Sequence, residues 1–108
     1  MTRFKLKVSV RMQTTEIGIL TLVSDTEYKW EYADGIIQSV DTVLQGLPFE
    51  TQTHTANHLF EWFETRIPPR ERTDWQERLG MKEYNYLEIF RKTRLRLATD
   101  FYWLEEME

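Results

Sequence analysis

The stretch that decides the fold is Phe4-Lys5-Leu6-Lys7-Val8-Ser9-Val10-Arg11-Met12, in which apolar and polar side chains alternate without a break. Successive side chains of a β-strand point to opposite faces, so this alternation predicts a strand with one buried face and one solvated face. The residues predicted to face the core are Phe4, Leu6, Val8, Val10 and Met12.

Two further strands are predicted directly after the first. Residues 16–23 (EIGILTLV) are apolar on both faces and rich in β-branched side chains, which is typical of a central strand covered on both sides. Tyr28, Trp30 and Tyr32 then alternate with charged residues. Asp34-Gly35 ends this strand with residues that accept the positive φ of a tight turn. The order predicts a three-strand meander.

Helical patterns dominate the second half of the chain. Three predicted helices are marked by caps, proline breaks or a 3.6-residue apolar period: residues 58–65 with Asn57 as N-cap, residues 69–79 with Gly80 as C-cap, and a third from about Glu83. The apolar stripe expected on the third helix consists of Tyr86, Ile89, Phe90, Thr93 and Leu97.

The remaining segments carry weaker patterns. Residues 39–44 fit either one helical turn or a short strand, and residues 50–55 are polar without periodicity, which predicts a loop. Residues 100–104 alternate, so a final strand is possible there. The predicted fold class is α+β: residues 1–108 form one domain whose small, mostly antiparallel sheet begins with the meander and carries the C-terminal helices.

Composition excludes several kinds of active site. The chain has no cysteine, so a disulfide framework, a thiolate metal site and a cysteine nucleophile are ruled out. Its four glycines are isolated, so no phosphate-binding loop is present. His54 and His58 have the spacing of a metal pair with Glu61, but solvated histidines explain them better. We therefore predict no catalytic residues, no metal and no cofactor.

The charge and hydropathy patterns bear on location and partners. Charges interrupt every apolar residue of the first strand, and no apolar run approaches the roughly 20 residues needed to span a bilayer. The sequence thus predicts a cytoplasmic protein with no membrane partner. The net charge is −4, so direct DNA binding is not expected.

Residues 59–72 (LFEWFETRIPPRER) form the candidate binding segment. A helix this short is expected to leave at least one of its large side chains partly exposed. Two interpretations stay open. The rings pack on the sheet as core, or they anchor a partner protein, since Trp and Arg dominate binding hot spots.

A series of short motifs runs in order through most of the chain: Val8-Ser-Val, Ile17-Gly18-Ile-Leu, Tyr28-Lys-Trp-Glu-Tyr32, Leu44-Gln-Gly-Leu47-Pro48-Phe49, Phe60-Glu-Trp-Phe63 with Arg66-Ile67-Pro68, Gln76-Glu-Arg-Leu79-Gly80, and Tyr86-Leu-Glu-Ile89-Phe90. In this order the motifs resemble the N-terminal subdomain of HipA-type serine/threonine kinases. The resemblance is closer to its stand-alone form, the HipS antitoxin of three-gene HipB–HipS–HipT systems. The family's Gly-Arg-Asp turn has no counterpart in residues 94–99, so the resemblance does not predict the C-terminal structure.

The resemblance implies an antitoxin that binds and inhibits a separate HipT/HipA-like kinase. Trp62 is expected to be an anchor that obstructs closure of the kinase lobes. Arg66 and Arg70 are expected to pair with carboxylates at the rim of the contact. The full set of predicted partner-binding residues is Phe60, Trp62, Phe63, Arg66, Ile67 and Arg70.

Two alternatives belong to other functional classes. In the first, the chain is a non-inhibitory scaffold that links the kinase to a HipB-like helix-turn-helix repressor on operator DNA. In the second, it is a free-standing enzyme, although no residues here correspond to the kinase's nucleotide and metal sites.

Overall fold

The computed structural model describes residues 1–36, 47–48, 51–72, 74–97 and 100–107. The described elements, in chain order, are β1 (Thr2–Val10), β2 (Gln13–Ser24), β3 (Glu27–Tyr32), β4 (Thr53–Ala56), α1 (Glu61–Glu64), α2 (Asp74–Leu79), α3 (Tyr86–Thr93) and β5 (Tyr102–Glu106). The strands form one antiparallel sheet in the order β4-β3-β2-β1-β5. The α+β prediction and the N-terminal meander are confirmed.

The β1–β2 hairpin departs from the predicted pattern at its turn. Arg11 and Met12 have φ values of 50° and 66°, as a two-residue hairpin turn requires. Met12 is 99% exposed, so the prediction that it faces the core is wrong. The alternation continues into the turn by coincidence of residue type, and the reversal of the chain removes Met12 from the buried face. Further along the hairpin, the register shifts between Leu6 and Lys7.

The core lies on the sheet face that carries Phe4, Leu6, Leu20 and Trp30, all at most 1% exposed. The helices cover this face with aromatic rings. Phe90 meets Phe4 edge to face at 5.6 Å between ring centroids, and Phe63 meets Trp30 at the same distance. Edge-to-face pairs add to the energy of the buried area itself.

The opposite face of the sheet is charged. Lys5 pairs with Glu16 at 3.4 Å, and Lys29 pairs with Glu31 at 2.7 Å. Ile19 lies half-buried between these pairs, because it is opposite Lys5 on one side and Glu31 on the other. Ile19 is therefore flanked on this face by long charged side chains, whose stems can shield apolar surface.

One predicted loop is a strand. Residues 53–56 form β4, which pairs with β3 in the register Trp30 with His54, so the prediction of a loop over residues 50–55 is wrong there. An edge strand is held mainly by backbone hydrogen bonds to one neighbour, so it does not need the apolar alternation that reveals an inner strand. The segment of residues 39–44 lies outside the described residues.

The first two helices are shorter than predicted. α1 begins at Glu61, and Phe60 rather than Asn57 occupies the N-cap position, where it makes no side-chain capping bond. α2 begins at Asp74, because the residues after Pro69 form turns instead of a first helical turn. Gly80 follows α2 with a φ of +63°, as expected of a glycine that ends a helix.

The third helix and the last strand correct the C-terminal prediction. The Asn85 side chain accepts a hydrogen bond from the Glu88 amide at 3.2 Å, so α3 begins at Tyr86. It ends at Thr93 because Arg94 and Leu95 adopt positive φ values of 51° and 56°. Leu95 is therefore the buried residue, whereas Leu97, predicted on the apolar stripe, is 39% exposed.

The possible final strand is confirmed as β5, beside β1. Its outward-facing Leu104 amide donates to the Arg94 carbonyl at 2.8 Å, so the turn after α3 covers part of this sheet edge. None of the helices in the described residues has the length and apolar character that crossing a bilayer requires.

Candidate functional site

The predicted binding segment folds as one helical turn followed by a proline break. Residues 61–64 form α1, and Thr65 closes it with its hydroxyl donating to the Trp62 carbonyl at 2.9 Å. Pro68 and Pro69 then prevent the helix from continuing. The segment places its side chains on the core face of the sheet rather than away from it.

The apolar members of this segment are buried. Their exposed fractions are Leu59 2%, Phe60 6%, Trp62 8%, Phe63 0% and Ile67 7%. The expectation that one large ring stays partly exposed is therefore wrong. The helix is only one turn long, so the flanking extended residues carry Leu59 and Phe60 inward at angles that a longer helix would not allow.

Trp62 packs against two aromatic rings and one cation. Its indole meets Phe63 at 5.1 Å and Tyr102 of β5 at 5.5 Å, both edge to face. The guanidinium carbon of Arg66 lies 4.7 Å from the indole centroid. Trp62 thus reaches a partner only if it leaves these contacts, and its role as an anchor stays a prediction.

Arg66 is the most tightly held of the predicted binding residues. Its Nη1 and Nη2 donate to the two Asp100 carboxylate oxygens at 2.7 and 2.8 Å. Its Nε and Nη2 also donate to the Leu95 carbonyl at 3.0 and 2.8 Å. The Arg66 side chain is 6% exposed and that of Asp100 is 30% exposed. Arg66 therefore joins the end of α1 to the turn before β5.

The Arg66–Asp100 ion pair also lowers the pKa of the Asp100 carboxyl. Hydrogen bonds from Arg66 hold the pKa of the Asp100 carboxyl below its usual range, and the Tyr102 amide, which donates to the same carboxylate, acts in the same direction. Burial opposes this shift, but its effect is smaller than that of the Arg66 hydrogen bonds. Asp100 is thus held ionised beside the Arg66 guanidinium.

Arg70 is the exposed member of the predicted set. Its guanidinium carbon lies 4.8 Å from the ring centroid of Tyr84, and the Tyr84 hydroxyl donates to the Pro68 carbonyl at 2.6 Å. Beside Arg70 lies a cavity of about 420 Å³, whose lining includes Tyr28, Tyr84 and Tyr86. Arg70 is therefore the predicted binding residue best placed to meet another molecule without rearrangement.

The tyrosines around this cavity resist ionisation. Burial raises the pKa of Tyr28, Tyr84 and Tyr86, and for Tyr86 it reaches about 12 because its hydroxyl also donates to the Glu64 carboxylate. All three tyrosine side chains are therefore neutral at neutral pH.

In the described part of the chain, no three His, Asp or Glu side chains are grouped so that they could hold a metal ion. The His54 ring bonds to Thr51, and the His58 ring is within 3.2 Å of the Leu59 carbonyl. These contacts occupy ring nitrogens of both histidines locally.

Two features of the structure were not identified as site residues from the sequence. Asp100 completes the Arg66 ion pair from 34 positions away, a separation that no local pattern reveals. Phe101, which follows it, is 72% exposed. The alternation of Phe101 with Trp103 was the available indication, because it places two rings on one face of a strand.

The family comparison defines the class of protein. The family model of the HipA N-terminal domain matches residues 8–98 of the 108-residue chain. The chain belongs to this family. No curated protein matches the sequence. The family match ends before β5, so the strand that carries Trp103 lies beyond the matched region.

Proposed function

We propose that this chain is the antitoxin component of a toxin–antitoxin system and that it binds and inhibits a separate HipT/HipA-like serine/threonine kinase. The observation that carries the proposal is the match of the HipA N-terminal domain to residues 8–98. The domain docks on the kinase and opposes the closure of its lobes, which catalysis in kinases requires.

The size of such a contact bears on which residues make it. A stable interface covers roughly 800 Å² on each partner, and the chain exposes 7487 Å². One side chain cannot supply that area, so the contact involves a face of the domain. Within residues 60–70, Arg70 is exposed for direct pairing, whereas Phe60, Phe63 and Ile67 support the segment from the core.

Trp62 contacts the kinase directly only under one condition. It acts as an anchor if binding draws it out of its contacts with Phe63 and Tyr102. Truncation to alanine costs roughly 3–5 kcal/mol of stability at a buried aromatic position. Trp62→Ala therefore tests folding as well as contact, and Trp62→Phe is the variant that keeps most of the buried volume.

The test is the phosphorylation activity of a purified HipT/HipA-like kinase, measured with and without the purified chain. We expect inhibition at a one-to-one ratio and at least a fivefold loss of inhibitory potency for Arg70→Glu. Arg78→Glu is the matched control, because the Arg78 side chain is 73% exposed on α2. Unchanged phosphorylation in a stable complex contradicts inhibition and favours the scaffold alternative. Absence of any complex contradicts both.

A further inference from the structure

Two of the four large apolar side chains that are exposed in the described residues lie near the C-terminal end of β1. Among the described residues, Met12 is 99% exposed and Phe101 is 72% exposed. The Ser9 amide donates to the Phe101 carbonyl at 3.2 Å, and Met12 lies in the turn just beyond Ser9. Isolated exposed apolar residues need no explanation, but grouped ones mark interaction sites.

The strand register adds a second ring to this group. Val8 is paired with Tyr102 and Lys7 with Trp103, and the Ser9–Phe101 hydrogen bond continues the same register. Phe101 and Trp103 therefore lie on the same face, opposite to the core. The Arg96 guanidinium carbon lies 5.0 Å from the Trp103 ring centroid, in a cation–π contact.

The charges around these rings are mostly positive. Glu105, on the same face, accepts a hydrogen bond from Lys7 at 2.8 Å. The pKa of the Glu105 carboxyl lies below its usual range, chiefly because of this hydrogen bond and further because Lys5 and Arg94 are near. With Arg96 added, cations outnumber carboxylates here among the described residues, although the whole chain has a net charge of −4.

We propose that the basic–aromatic patch, consisting of Met12, Arg94, Arg96, Phe101 and Trp103, is a second contact surface, separate from the Arg70 side of the domain, which docks on a carboxylate-bearing face of the kinase partner. The inference rests on the proposed function and adds this contact surface to it. Aromatic residues, Met and Arg are the types enriched at protein interfaces, and Trp and Arg are prominent among hot spots.

The patch is held in place before binding. The Arg66–Asp100 ion pair fixes the residue directly before Phe101, and the Tyr102 amide donates to the same carboxylate at 3.2 Å. A preorganised surface loses less conformational freedom on binding. An acidic protein surface suits the patch better than a nucleic acid does, because Lys5 and Lys7 are already paired with Glu16 and Glu105 and few cations remain for a phosphate chain.

The experiment measures the affinity of the full chain for the purified kinase by biolayer interferometry. Phe101→Ala and Arg96→Glu are each expected to weaken the dissociation constant at least tenfold. Arg78→Glu, which is exposed on α2, is expected to stay within twofold of wild type. Raising the salt from 50 to 500 mM weakens the wild-type complex, and it weakens the Arg96→Glu complex less.

Each outcome decides a separate question. If wild type binds and both patch variants bind equally well, the docking surface is wrong while the proposed function stands. If wild type does not bind the kinase, the proposed function fails and the docking surface fails with it. If fluorescein-labelled dT15 binds wild type and Phe101→Ala abolishes that binding, the patch is a nucleic-acid site and the protein assignment is overturned. Urea unfolding midpoints of the variants, measured alongside, exclude a loss of binding through unfolding.

Discussion

Replacing Asp100 by alanine removes the partner of a buried guanidinium. Arg66 would lose the hydrogen bonds at 2.7 and 2.8 Å and keep those to the Leu95 carbonyl. The Tyr102 amide would also lose its 3.2 Å acceptor. Because the Arg66 side chain is 6% exposed, little water can reach it to replace the carboxylate. The structure therefore predicts a marked loss of stability at neutral pH.

The magnitude follows from the burial of the two partners. Removing one member of a fully buried ion pair costs roughly 3–5 kcal/mol, and a hydrogen bond to a charged group contributes roughly 1.5–3 kcal/mol. Asp100 is 30% exposed, which lowers the expected cost to about 2–3 kcal/mol. With a urea dependence of roughly 1.5 kcal/mol per molar, the unfolding midpoint falls by about 1.3–2 M.

The assay is urea unfolding followed by tryptophan fluorescence, since Trp62 contacts Arg66 directly. The matched control is Glu16→Ala, which removes the surface pair with Lys5. Surface pairs contribute little, so the control is expected to change the unfolding free energy by less than about 0.5 kcal/mol. The comparison separates a buried ion pair from an exposed one in the same fold.

The pH dependence of the stability lost in Asp100→Ala provides a second test of the ion pair. The pKa of Asp100 is lowered in the folded protein, so its contribution is fully present above the ordinary aspartate pKa and is lost as pH falls through the lowered value. The difference between wild type and Asp100→Ala is therefore expected to shrink as pH falls below about 4. A change under 0.5 kcal/mol at pH 7, or a difference that persists unchanged at low pH, would refute the reasoning.

Three further changes test other parts of the fold. Gly18→Ala would bring a methyl group against the Glu31 carbonyl oxygen and within 2.7 Å of the Trp30 ring. We therefore expect the free energy of unfolding, measured with urea, to fall by roughly 3 kcal/mol; an unchanged midpoint would mean that β2 and β3 move apart at little cost. Asn85→Ala removes the N-cap bond of α3 and should cost about 1 kcal/mol, whereas Asn85→Ser should cost less; equal costs would contradict the capping role. Tyr86→Phe should remove the tyrosine that ionises near pH 12 in an absorbance titration; an unchanged titration curve would contradict the assignment of that pKa to Tyr86. Because the raised pKa of Tyr86 disfavours its ionisation in the folded state, the stability of the wild type should decline above pH 10.

The strands of the meander were predictable because their determinants are local. The alternation of Phe4 and Leu6 with lysines, and of Tyr28 and Trp30 with charged residues, specifies which side chains are buried whatever the strands pair with. The N-cap of α3 was harder to place. Glu83 and Asn85 are both polar residues before an apolar stripe, and only the hydrogen bond from the Glu88 amide identifies Asn85.

The edge strand and the end of α3 escaped prediction for a different reason. Residues 53–56 have no apolar alternation, and they become a strand because β3 offers them hydrogen bonds. Leu95 and Leu97 are the same residue type two positions apart. The positive φ values at Arg94 and Leu95 turn the chain so that Leu95 is buried and Leu97 is not. No helical period continues through such a turn.

The candidate site, like the fold, has some features that the sequence determined and others that depend on the tertiary structure. By itself, the sequence determined the class of fold, the meander, the presence of an aromatic–arginine segment and the resemblance that the family match then confirmed. Only the tertiary structure decided that Trp62 lies in the core, that Arg66 pairs with Asp100, and that Phe101 stays exposed. The physical reason is range: periodicity reports which face of its own element a side chain occupies, whereas burial and ion pairing depend on what segments far along the chain place against that face.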